Sequence, residues 1–149
     1  MTESTLLHEL ITTSAQRTPQ AVALVHDVAR MSYAELAQAQ AQFAAGLMAL
    51  GCQRGERVAI YLEKRFEAVL ASFGTAAAGL VFVPVNPLLK PQQVAYILRD
   101  CGVCLLVTSP ERLALLHEVL DTCADLRQIV VTGAAPATPA ASASVPVTD

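Results

Sequence analysis

The chain has little charge: among its 149 residues are ten Lys and Arg and thirteen Asp and Glu, 15% in all. Ordinary soluble domains carry about 25%. The basic residues are scattered and the formal net charge is -3. With no basic field to neutralise phosphates, nucleic acid is not an expected partner. Long apolar runs are missing as well. Lys64, Arg65, Glu67 and Lys90 interrupt the hydrophobic segments before any reaches the ~20 residues of a membrane span. The opening MTESTLLHELITTSAQR places Glu3 and Glu9 where a signal peptide needs a positive segment followed by an apolar one. A cytoplasmic location is expected.

Phosphate-gripping sequences are also lacking. Gly46, Gly51, Gly55, Gly74, Gly79, Gly102 and Gly133 build neither a Gly-rich turn ending in Lys and Ser or Thr nor a Gly-x-Gly-x-x-Gly turn. Those are two designs that bring backbone amides up to phosphates. His8, His26 and His117 have no Ser, Cys or carboxylate partner at a telling interval. Each is read as a surface or packing histidine, and no catalytic residue is expected. The cysteines are Cys52, Cys101, Cys104 and Cys123. Cys101-x-x-Cys104 lacks the two further ligands of a zinc site and the helix start of a redox motif. Both are read as small buried hydrophobes, and no metal site is expected.

What is present is apolar: 54% of residues are hydrophobic, which excludes disorder for most of the length. A chain of this size buries roughly 68–70% of its unfolded surface and supports one core. A helix is expected from Leu6 to Arg17, with Leu6, Leu7, Leu10 and Ile11 on one face, stopped by Thr18-Pro19. A peripheral hairpin follows, from Ala21 through Asp27 to Met31. Ser32 and Glu35 have capping-box spacing, so a helix starts at Tyr33. Its apolar stripe is Leu36, Phe43, Leu47 and Leu50, with Gln38, Gln40 and Gln42 on the remaining surface, and Gly51 ends it.

From residue 56 the pattern alternates. Arg57 to Leu62 reads as a strand and Phe66 to Ala78 as a helix closed by Gly79. Leu80 to Val85 reads as a strand with both faces buried, Pro84 marking its end or an edge. Pro91 opens a helix to Cys101, a strand begins at Cys104, Ser109 and Pro110 open a helix continuing from Glu111 to Cys123, and Gln128 to Thr132 is a final strand. The fold class is α/β: a doubly wound, mostly parallel sheet with flanking helices over residues 1–132. Residues 133–149, rich in Ala, Pro, Ser and Thr, are expected to be a flexible tail or linker.

Open α/β sheets bind ligands beyond the carboxyl ends of their strands. The candidate loops are therefore Glu63-Lys64-Arg65, Asn86-Pro87-Leu88 and Thr108-Ser109. Glu63, Lys64, Arg65 and Glu67 are read mainly as a self-compensating charged helix start. Asn86, Thr108 and Ser109 are the ligand-facing candidates; Asn before Pro is also a common turn former. No cofactor-binding residue is assigned.

Three segments carry a resemblance: Ser32-Tyr33-Ala34-Glu35-Leu36, Gly51 through Val58, and Ala78-Gly79-Leu80-Val81-Phe82-Val83-Pro84-Val85-Asn86-Pro87. Together they resemble the N-terminal region of AMP-forming acyl-CoA ligases and peptide-synthetase adenylation domains, over roughly Leu6 to Gly133. Asn86-Pro87 is more similar to the acyl-CoA ligase branch. FVPVNPLLKPQQVAYILRDCGV is also similar to ligases associated with exosortase-type export systems. The resemblance implies activation of a carboxylic acid with ATP and Mg²⁺ to an acyl-adenylate, then transfer to the thiol of CoA or of a carrier. The family's phosphate loop, its acidic residues for ribose and Mg²⁺, and its C-terminal lysine have no counterpart here. Ala77 departs from the long side chain many relatives carry.

The chain is therefore expected to be the N-terminal subdomain of such a ligase, truncated and inactive alone, with the remaining subdomains as partners. No cofactor is expected in this fragment; ATP, Mg²⁺ and CoA are implied for the full-length family. The alternative is a non-catalytic interaction module that kept the sheet. Apolar surface that relatives cover with further chain would be bare here, so a homo-oligomer is expected.

Overall fold

The computed structural model describes residues 4–133. The expected tail lies, apart from Gly133, outside the described residues. Helices α1 (Glu9–Arg17) and α2 (Tyr33–Ala49) flank a hairpin of β1 (Val22–His26) and β2 (Ala29–Ser32). Then come β3 (Arg57–Tyr61), α3 (Phe66–Ala77), β4 (Val81–Pro84), α4 (Pro91–Asp100), β5 (Val103–Thr108), α5 (Pro110–Leu116), a 3-10 turn (Leu120–Thr122) and β6 (Gln128–Val131).

The hairpin pairs antiparallel and forms its own two-stranded sheet, while the other four strands pair in parallel in the order β4-β3-β5-β6. The fold is therefore the doubly wound α/β class expected. Winding runs from β3 outward to β4, crosses back over β3 to β5, and continues to β6. Its reversal between β3 and β5 is the topological switch point, at which such sheets conventionally bind ligands.

Each face of the sheet has its own core. Leu47 and Ala71, from α2 and α3, pack with Val58, Ile60, Cys104, Leu105 and Val107 on one side. Val94, Leu98 and Leu116, from α4 and α5, pack with Ala59, Tyr61, Val103 and Leu106 on the other. Alternate residues of β3 from Val58 to Tyr61 enter opposite cores, as the two-residue period of a strand demands, and so do those of β5 from Leu105 on; a register shift at the start of β5 puts Cys104 and Leu105 on the same side. All six residues of β5 are buried, which is why it reads as an unbroken apolar run.

The capping box at α2 forms as its sequence dictates: Ser32 Oγ accepts from the Glu35 amide at 3.3 Å, and Glu35 accepts from the Ser32 amide at 2.7 Å. Gly51 stops the helix at φ 82°, a conformation that would strain a residue with a Cβ. Helices α2 and α3 touch closely at Gly74, where an added Cβ would lie 2.6 Å from Phe43 Cδ1.

Five expectations are corrected. Helix α1 begins at Glu9 rather than Leu6, because Glu9 Oε2 accepts from the amides of Thr5 and Leu6 and holds that stretch in turns. Of its expected apolar face only Ile11 is buried, leaving Leu6, Leu7 and Leu10 exposed. Gln40 is buried rather than on the surface, since α1 packs over it and His8 O accepts from its amide. Strand β4 is not buried on both faces, because it is the sheet edge and Val81 and Pro84 stand exposed. The expected helix to Cys123 breaks after Leu116: Thr122 Oγ1 donates to Val119 O and accepts from Arg99, local bonds that compete with a continuous helix.

Among the described residues, no helix is long and apolar enough to cross a membrane.

Candidate functional site

The switch point brings the ends of β3 and β5 side by side, with Tyr61 paired to Thr108. Beyond them lie the three loops singled out from the sequence. Thr108 is fully buried, and its Oγ1 donates to Tyr61 O at 2.9 Å. Ser109 is also buried; its Oγ accepts from the Arg112 amide at 3.3 Å and caps α5. Asn86 is exposed beyond β4, where its Oδ1 accepts from the Leu88 amide at 2.9 Å and closes an Asx turn. Thr108 and Ser109 thus use their hydroxyls internally, and Asn86 shapes its own loop.

The residue that joins these loops is Arg112, in the first turn of α5. Its Nε donates to Glu63 Oε1 at 2.7 Å, and its Nη1 donates to Pro87 O. Its guanidinium carbon lies 5.4 Å from the centre of the Tyr61 ring, within cation–π range. One side chain therefore ties the ends of β3, β4 and β5 together. The Arg112 guanidinium holds the Glu63 carboxyl below its ordinary value, and Glu63 in turn raises that of Arg112. The sequence reading passed over Arg112. One signal was available: a cation in the first turn opposes the helix dipole, so a specific partner has to hold it there.

The neighbouring charges compensate one another. Arg65 pairs with Glu67 at 2.9 Å, and Glu63 is taken by Arg112. His8, His26 and His117 lie on different elements, and His26 packs its ring edge-to-face on Phe66. A shallow, open hollow lies along α4, lined by Leu89, Gln92, Gln93, Tyr96 and Ile97. It adjoins no catalytic group.

Arg112 and Glu63, the charged pair at the switch point, face protein partners rather than standing open to the ATP and Mg²⁺ that the resemblance implies. Arg112 donates to Glu63 Oε1 and to Pro87 O, so both its guanidinium and that carboxylate are engaged.

The cysteines are arranged otherwise than their spacing suggests. Cys104 neighbours Cys52, and the carboxylate of Glu56 lies with them, the three ligating atoms within 4.8 Å of one another. Burial pushes the Cys104 thiol up to about 12, so at neutral pH it is protonated.

Comparison with known proteins agrees with the fold. The AMP-binding enzyme profile matches residues 11–147. Bacitracin synthase 1 of Bacillus licheniformis is 34% identical over 120 residues, covering 80% of this chain and 2% of that protein. The mitochondrial medium-chain acyl-CoA ligase ACSF2 of Danio rerio is 33% identical over 117 residues, covering 77% of this chain and 19% of that protein. Among solved structures, the anthranilate CoA ligase AuaEII in complex with anthranoyl-AMP superposes with a TM-score of 0.83 at 27% identity, covering 89% of this chain and 26% of that one. The chain thus spans about a quarter of the ligase it superposes on and less of the curated relatives. With the profile running over most of its length, the chain belongs to the AMP-binding enzyme family.

Proposed function

We propose that this chain is the N-terminal subdomain of an AMP-forming acid–thiol ligase. The ligase would join a carboxylate to ATP, giving an acyl-adenylate and pyrophosphate, and pass the acyl group to the thiol of CoA or a carrier with release of AMP. The observation that carries the reading is the family match over residues 11–147, supported by superposition on a CoA ligase with an acyl-adenylate bound. Asn86-Pro87 after β4 favours the acyl-CoA ligase branch. The exosortase-associated subgroup remains a narrower proposal resting on residues 82–103 alone.

In this reading the subdomain contributes a rigid platform, and the groups that grip ATP and Mg²⁺ belong to other subdomains of the same ligase. Alone, the chain has no activity. The test is ATP–pyrophosphate exchange with a panel of carboxylates, run on this chain and on a polypeptide extended by whatever in-frame sequence follows codon 149. Exchange by the extended protein only supports the proposal; exchange by the isolated chain overturns it.

The engagement of Arg112 with Glu63 and Pro87 O favours a second reading, a non-catalytic interaction module. The absence of any phosphate loop in the downstream reading frame would select it. Under either reading we propose that the chain acts in the cytoplasm and self-associates. Leu88, Tyr96 and Leu115 are exposed at or near α4 and α5, as are Leu6, Leu7 and Leu10 near α1. Light scattering that finds only monomer at high concentration contradicts the self-association.

A further inference from the structure

We propose that Cys52, Glu56 and Cys104 form a binding site for one borderline-soft divalent cation of the zinc type, at the amino-terminal end of the sheet. The site lies at the opposite end of the strands from the switch point, so its role is structural and independent of the ligase reading.

The geometry is that of a nearly assembled three-ligand centre. The two sulfurs and a carboxylate oxygen lie within 4.8 Å of one another. Tetrahedral zinc with Zn–S bonds of about 2.3 Å needs sulfurs about 3.8 Å apart. Closing the site therefore takes at most about an ångström of movement. Cys104 is held in the sheet, but Cys52 lies on the short connection from α2 to β3, between Gly51 and Gly55. Both glycines have positive φ and open space where a Cβ would stand. Cys52 packs at the margin of the core that holds Cys104, so its thiol is already turned toward Cys104 and only a side-chain adjustment is needed. Cys104 is buried and Cys52 half-buried, so a cation would enter past Cys52.

Glu56 is already oriented for the role. Arg127 Nη1 and Nη2 each donate to one of its oxygens at 2.9 Å, and the Gln53 amide donates to Oε2 at 2.8 Å. An ionised carboxylate accepts about four hydrogen bonds, so one direction is left for a cation. Arg127 becomes the outer partner that fixes the ligand, as metal-bound carboxylates generally have. Charges also close: two thiolates and one carboxylate balance the cation and the Arg127 guanidinium. Binding displaces one proton from each thiol to solvent and forms two metal–sulfur bonds, with no change of oxidation state. Water completes the fourth position. The bound ion would staple the end of α2 to β5 and, through Glu56 and Arg127, to the starts of β3 and β6.

The test titrates Zn²⁺ into the chelator-treated 149-residue chain, kept reduced by a phosphine, in competition with a chromophoric chelator. Uptake of one Zn²⁺ per chain is expected, with Cys52→Ala weakening it at least a hundredfold and Glu56→Gln at least tenfold. A Co²⁺ derivative should show a sulfur-to-cobalt charge-transfer band that Cys52→Ala abolishes. Because Cys52 is half-buried, that variant is the primary one, and circular dichroism must show it folded; the Co²⁺ spectrum of the wild-type chain tests the site without any substitution. Absence of stoichiometric uptake by the wild-type chain overturns the proposal. So does uptake unchanged in Cys52→Ala, a Co²⁺ spectrum without thiolate bands, or equal affinity for Mg²⁺.

Discussion

Thr108 Oγ1 donates a 2.9 Å hydrogen bond to the carbonyl oxygen of Tyr61, joining the last residues of the two strands at which the winding of the sheet reverses. Both residues are fully buried, so no water can replace that bond. Thr108→Val keeps the shape and removes the donor. Unfolding by urea should show a loss of about 0.5–1.5 kcal/mol. An unchanged midpoint would mean that the bond contributes nothing to holding the strand ends together.

Arg112 extends that joint to a third strand through Glu63 and Pro87 O. Lysine keeps the charge but loses the planar fork that reaches separate acceptors and lies over an aromatic ring. Arg112→Lys should therefore cost about 1–3 kcal/mol, nearly as much as Arg112→Ala. If lysine restores full stability in chemical denaturation, charge alone is what matters and the fork is incidental.

The Glu63 carboxyl offers an acid-side test of the same clamp. Arg112 holds it below the ordinary 4.5, so the folded state takes up its proton less readily than the unfolded chain. Its contribution is complete above about pH 5 and is lost as pH falls through the lower folded value. Stability of the wild-type chain should fall more steeply between about pH 5 and 3 than that of Glu63→Gln. Parallel curves would show the pair to be energetically silent.

The contrast between Thr108 and Arg112 shows which parts of the site the sequence could reveal. Thr108 and Ser109 were legible because a short apolar run fixes where β5 ends and Pro110 fixes where α5 begins. That they face inward depends on the register of β3 against β5, which no local pattern contains. Arg112 acts through Glu63 and Pro87, distant in sequence, and only the crossovers bring them together. The same holds for the fold at large. Caps and periods located most elements, whereas the burial of Gln40 required the docking of α1, and the exposure of Val81 required knowing that β4 is an edge. Cys104 stands three residues from Cys101 in sequence, while its spatial partner, Cys52, lies on the connection from α2 to β3.

Packing between α2 and α3 gives a prediction with a change of sign. At Gly74 an added Cβ would meet Phe43 Cδ1 at 2.6 Å and Phe43 Cβ at 3.1 Å. Overpacking costs about 1–3 kcal/mol, against a gain of about 1 kcal/mol from replacing glycine by alanine inside a helix. Gly74→Ala should destabilise the wild-type chain. In a Phe43→Ala background it should be neutral or stabilising. An equal loss in both backgrounds would place the conflict elsewhere than on the Phe43 ring.

This chain carries the platform of an adenylate-forming enzyme, and at its switch point Arg112 is bound to Glu63 and Pro87 O. The most direct measurement is calorimetric titration of the purified chain with ATP and Mg²⁺, and separately with a non-hydrolysable acyl-adenylate analogue. No saturable heat is expected for either ligand up to millimolar concentration. Saturable binding at one site per chain, weakened by substitutions at Thr108, Ser109 or Asn86, would contradict it.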